Sequence, residues 1–90
     1  MVANLISDFN HKAKANQFVI YEPNKVTFQS YSTRICVIEG NNVSLSYNMW
    51  DYSRTTLKYL TMFLRQNGWR EIKSKKDVEK KIANGTFKTF

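Results

Sequence analysis

Between residues 18 and 47 the chain repeats in a pattern that suits a β-sheet. Phe18-Val19-Ile20-Tyr21 is followed by the turn residues Pro23-Asn24, and then by Val26-Thr27-Phe28-Gln29-Ser30-Tyr31 in apolar–polar alternation. Arg34-Ile35-Cys36-Val37-Ile38 is a continuous apolar run, Gly40-Asn41-Asn42 tolerates positive φ, and Val43-Ser44-Leu45-Ser46-Tyr47 alternates again. Side chains alternate across a strand, so Val26, Phe28, Val43 and Leu45 fall on one side and Thr27, Ser44 and Ser46 on the other. Two hairpins therefore predict a four-stranded antiparallel sheet with one covered and one wet face.

Helices are needed to cover that face. Asp51 or Ser53 suits the N-cap of a helix from about Arg54 to Asn67, and Gly68 stands where a left-handed C-terminal residue belongs. Leu57, Leu60 and Leu64 form its apolar stripe, while Arg54, Lys58 and Arg65 fall within about 40° of one another beside it. Met62 and Phe63 lie off the stripe, which calls for a second helix or a partner to cover them. Ser74-Lys75-Lys76-Asp77 has capping-box spacing, and the short helix it opens carries Val78 and Ile82 before Gly85. At the other end, Leu5, Ile6, Phe9 and Ala13 have the spacing of a short amphipathic helix over Ala3 to Ala15, stopped by Asn16. The expected fold is a single α+β domain over residues 1–90, in the order α-β-β-β-β-α-α. Its sheet packs against the main helix, with short N- and C-terminal helices. A chain of 90 residues buries only roughly 60% of its unfolded surface, enough for one thin core.

Charge divides the chain in two. Residues 1–53 hold four cations and four anions, whereas residues 54–90 hold ten cations against Glu71, Asp77 and Glu79, so the whole net charge of +7 lies in the second part. A one-signed surface attracts polyanions and also keeps a small protein soluble. Lys75 and Lys76 in the first turn of the last helix oppose its dipole, a small local cost that keeps positive charge there.

The residues for catalysis do not assemble into any known pattern. His11 and Cys36 are the single histidine and cysteine, too few for a zinc set of these ligands, and no phosphate-binding glycine loop or nucleophile elbow occurs. The expectation is therefore a protein that is not an enzyme and uses no metal or cofactor. Cys36 between Ile35 and Val37 reads as an inert packed thiol in a reducing cytoplasm. The N-terminal stretch has neither the basic leader nor the apolar run of a signal peptide, and no window is long and apolar enough for a membrane span.

What remains is a surface. Arg54, Lys58 and Arg65, then Arg70, Lys73, Lys75, Lys76, Lys80 and Lys81, form a basic set with Tyr59, Trp69 and Tyr52 interleaved for stacking. Trp50 and Trp69 flank the main helix and serve equally as lids on a small core.

The Ser30-Tyr31-Ser32-Thr33 segment and the stretch Trp50-Asp51-Tyr52-Ser53-Arg54-Thr55-Thr56, running on into Lys58-Tyr59-Leu60 and Phe63-Leu64, resemble small uncharacterised proteins of phages and bacterial mobile elements. The resemblance spans roughly residues 3–67 and leaves out the basic last helix. It implies an accessory protein of the bacterial host cytoplasm that acts by stoichiometric binding to a host protein or nucleoprotein complex. The expectation it supports is inhibition of a nucleic-acid-targeting defence complex of the anti-CRISPR type through the basic C-terminal half, without membrane or small-molecule substrate. The alternative is direct binding of DNA or RNA.

Overall fold

The computed structural model of the chain describes residues 1–6 and 12–90. One six-stranded sheet runs through it, in the order β1 (Val2–Ile6), β2 (Ala13–Tyr21), β3 (Lys25–Ser30), β4 (Thr33–Glu39), β5 (Asn42–Leu45) and β6 (Phe87–Thr89). The first five strands form an antiparallel meander. Helices α1 (Arg54–Gln66) and α2 (Lys75–Ala83) then carry the chain back so that β6 adds parallel to β5. The order is β-β-β-β-β-α-α-β, which corrects the four-stranded, three-helix arrangement expected from sequence.

The correction begins at the N-terminus, where the segment expected to be helical is strand on both sides of residues 7–11. Phe9 and His11 lie outside the described residues. Val2, Ala3 and Asn4 pair with Ile20, Val19 and Phe18. The cause lies in β2, whose Phe18-Val19-Ile20 run would otherwise present a bare apolar edge; β1 satisfies those backbone groups. Between Asn4 and Ile6 the register shifts, which turns Leu5 fully inward, and Asn4 Nδ2 donates to the Lys14 carbonyl at 2.8 Å across the irregularity. Asn16 does not end a helix. It holds φ +62° inside β2.

A second irregularity explains the continuous apolar run of β4. Phe28 pairs with Cys36 but Gln29 pairs with Arg34, so Ile35 is an extra residue and both Ile35 and Cys36 are buried. Burial pushes the Cys36 thiol far above its ordinary pKa, which leaves it a packing group.

Phe28, Cys36 and Leu45 line one row of the covered face, and Val26, Ile38, Val43 and Phe87 the next. Helix α1 docks on this face through Phe63, whose ring stacks on Phe28 at 5.6 Å between centroids. The helix starts at Ser53, whose Oγ accepts the Thr56 N–H at 3.1 Å. It ends in a Schellman arrangement: Trp69 N–H donates to the Leu64 carbonyl and Gly68 N–H to that of Arg65, with Gly68 at φ +98°. Beyond Gly68 the chain doubles back and buries Ile72 completely. Leu60 through Leu64 are consequently buried at five successive positions, more than one full helical turn, so Met62 and Phe63 are covered by the chain itself.

The C-terminal strand carried no readable signal in three residues, but it seals the exposed edge of β5. Phe87 is buried against Val43 and meets the edge of the Trp69 ring at 5.0 Å. Phe90 N–H then donates to the Leu45 carbonyl at 2.9 Å.

Two expectations follow. Phe63→Ala should destabilise the domain by about 3–5 kcal/mol, read as a lower urea midpoint. Cys36 should resist alkylation by a thiol reagent in native buffer and react only at the rate of global unfolding; rapid native-state labelling would contradict its packing.

Candidate polyanion-binding surface

The sequence-derived basic set separates in the structure into side chains that hold the fold and side chains that face outward. Arg65 belongs to the first group: it is half-buried, and its Nη1 donates to the Ile72 carbonyl at 3.0 Å, pinning the returning segment to α1. Lys81 pairs with Glu71 at 3.2 Å and lies over the Trp69 ring at 5.6 Å, fastening α2 to the same segment. Lys75 reaches Asp51 at 3.5 Å and ties the start of α2 to the turn before α1. Tyr59 and Trp69 are both half-buried and packed on the core, Trp69 edge-on to Phe87.

Arg54, Lys58, Arg70, Lys73, Lys76 and Lys80 make up the second group. All six are exposed, and none holds an ion pair among the described residues. Arg54 and Lys58 share one edge of α1, with Lys58 Nζ 5.6 Å from the Tyr59 ring centroid. Lys76 and Lys80 stand four residues apart on the outer side of α2, opposite the buried Val78.

The acidic residues of this half do little to neutralise the outward group. Glu71 accepts a backbone N–H and the Lys81 ammonium, which together hold its carboxyl below the ordinary value. Asp77 Oδ2 accepts the N–H of Lys73 at 2.8 Å and of Ser74 at 3.1 Å, and these bonds likewise lower its pKa. A depressed carboxyl of this kind contributes its full stabilisation above its unfolded pKa and loses it as pH falls through the folded one. Both anions are thus engaged by partners of the helical layer although Glu71 stays exposed, and Glu79 is exposed without an ion pair among the described residues.

Two clefts accompany this surface. One of about 510 Å³ lies between α2 and the sheet, lined by Trp50, Asp51, Glu79 and Ile82 among others; its acids make it a poor seat for an anion. The other, of about 430 Å³, opens between the β3–β4 turn and the first turn of α1. Its lining includes Gln17, Ser30, Tyr31, Tyr52, Ser53 and Thr55, and no acidic residue is among those that line it. Sequence reading missed this cleft apart from Tyr52. The one signal it left is Tyr31 at the head of a two-residue turn, a position that favours glycine or asparagine.

Among the described residues no group of three or more His, Cys, Asp or Glu side chains is placed to hold a metal ion, and no helix is long and apolar enough to cross a membrane. No curated protein and no solved structure matches this chain. Residues 2–80 match a family of unknown function, DUF8033, which takes in all of the sheet except β6 and all of α1, and the chain belongs to that family.

Proposed function

We propose that this protein acts by stoichiometric binding, applying the outward cations of its helical layer to a polyanionic surface of a nucleic-acid-handling complex in a bacterial cell. The observation that carries the reading is that Arg54, Lys58, Arg70, Lys73, Lys76 and Lys80 stay exposed without ion pairs among the described residues, while Glu71 pairs with Lys81 and Asp77 with the N–H groups of Lys73 and Ser74. Such an arrangement keeps a positive field outside the helices, which speeds encounter with phosphate backbones or acidic protein faces. The likeness to phage and mobile-element accessory proteins supplies the biological setting, in which the complex is a defence effector of the CRISPR type and the effect is inhibition.

Direct nucleic-acid binding is the second reading, favoured by Tyr52, which is 70% exposed two residues before Arg54. The two readings separate by measurement. An inhibitor should reduce target cleavage by a purified RNA-guided nuclease at near one-to-one ratio while binding bare duplex weakly. A direct binder should show an affinity for bare nucleic acid that falls steeply with salt.

The charge variants should spare Arg65, because its loss would release Ile72 and perturb the fold. Lys76→Gln with Lys80→Gln is expected to leave the melting temperature within a few degrees of wild type. If phosphates are contacted, the log–log salt slope should fall by about two, as measured by fluorescence anisotropy. Arg54→Gln with Lys58→Gln provides the same test for α1. Wild-type binding and wild-type inhibition in both double variants would eliminate the helical layer as the recognition surface.

A further inference from the structure

Gln17 is 3% exposed, yet its Oε1 has no hydrogen-bond partner among the described residues. A buried amide oxygen left in this way is costly, and natural folds keep few of them without a use. Gln17 lines the cleft of about 430 Å³ at the start of α1, within the ~300–1,000 Å³ range of small-ligand sites. Tyr31 and Tyr52 stand at this cleft with 65% and 70% of their surface exposed, offering ring faces that pack on little else. Ser53 and Thr55 bring to it the first turn of α1, which contains no acidic residue, and the exposed Arg54 lies between them.

Among the described residues Asn16 and Tyr31 are the non-glycine residues with positive φ, at +62° and +55°, a conformation that asparagine tolerates and tyrosine adopts at a cost. Asn16 precedes Gln17, Tyr31 follows Ser30, and the Tyr31 N–H donates to the Asn16 carbonyl at 2.7 Å. A tyrosine in the left-handed region is uncommon, because its Cβ crowds the following peptide. Here the strain delivers a ring to the cleft that glycine would not supply.

We infer that this cleft binds a nucleotide unit, with the base stacked on Tyr31 and its edge against the Gln17 amide. The phosphate lies at the Arg54 side chain and at the N–H groups of Arg54 and Thr55, the first-turn amides that Ser53 does not take. Each part meets its chemical complement. A glutamine amide pairs with a base edge that offers a donor beside an acceptor, as adenine does. Exposed aromatic rings stack unpaired bases, and a helix N-terminus free of acids accepts phosphate. The nucleotide is either a free mononucleotide or one residue of a single strand; only the second source rests on the nucleic-acid reading above.

The test titrates adenosine monophosphate and, separately, a short oligoadenylate into wild type, Gln17→Leu and Tyr31→Gly. Binding is followed by NMR shifts at residues 17, 31 and 52–56 and by fluorescence. Gln17→Leu removes an unpartnered polar atom and Tyr31→Gly relaxes a left-handed residue, so both should melt no lower than wild type. Each is expected to weaken nucleotide binding by about tenfold or more. Loss in the monophosphate titration supports a free nucleotide, and loss confined to the oligoadenylate supports a single strand. If neither probe shifts the cleft resonances, Oε1 is served by water and the inference fails. Oligoadenylate binding that is salt-dependent but equal in all three proteins also overturns it, while leaving the helical cations as the binding surface. A marked fall in the melting temperature of Gln17→Leu would show that the amide has a structural partner and would overturn it as well.

Discussion

The stack of Phe63 on Phe28 is the contact on which the remaining structure depends. Ninety residues supply one layer of helix for one face of sheet, so a single helix must bring most of the cover, and it does so at a central strand. Once α1 sits there, Leu60 and Leu64 are buried completely in the same core cluster. The returning segment extends that core by burying Ile72 and packing Trp69 on Phe87, and Arg65 fixes it by holding the Ile72 carbonyl. A thin two-layer core is thus completed by irregular chain as well as by helix.

This closure also sorts the charges. Long cationic side chains are used as clips where two segments of the helical layer meet, as at Lys81 with Glu71 and Lys75 with Asp51. Exposed pairs of this kind contribute about 0–1 kcal/mol each, so their weight in stability is small; their effect is to engage Glu71 and Asp51 with Lys81 and Lys75, away from the other cations. Asp77 and Glu79 stand beside Lys76 and Lys80 in the sequence, and the surface keeps its sign because the exposed cations of this half outnumber its acids.

Much of this was legible in the residues, and the failures have physical causes. Pro23-Asn24 and Gly40-Asn41 marked two hairpins because turn chemistry is local, and Ser53, Gly68 and Asp77 marked helix ends for the same reason. The N-terminal segment misled because Leu5, Ile6, Phe9 and Ala13 match a helical spacing, whereas its conformation is set by the unpaired edge of Phe18-Val19-Ile20, a tertiary demand. Three residues at Phe87–Thr89 are too few to show a period, and only the open edge of β5 explains them. In the basic set, helical angle grouped Arg65 with Arg54 and Lys58, but angle cannot say that the chain returns over one end of α1. The cleft was invisible because Gln17 and Thr55 are far apart in sequence and unremarkable alone.

These failures converge on the N-terminal end of α1. Burial is continuous from Leu60 to Leu64, so the surface that α1 leaves open lies mainly in its first turns, where Arg54, Thr55 and Lys58 are exposed. The same end lacks an acidic residue, leaving the helix dipole unopposed, and it faces the turn whose tyrosine holds a left-handed backbone. Stability alone would favour an acid in that first turn and a glycine in that turn. The sequence has neither. These are two independent departures from the more stable choice, on elements brought together only by folding, and the proposed nucleotide site draws on both.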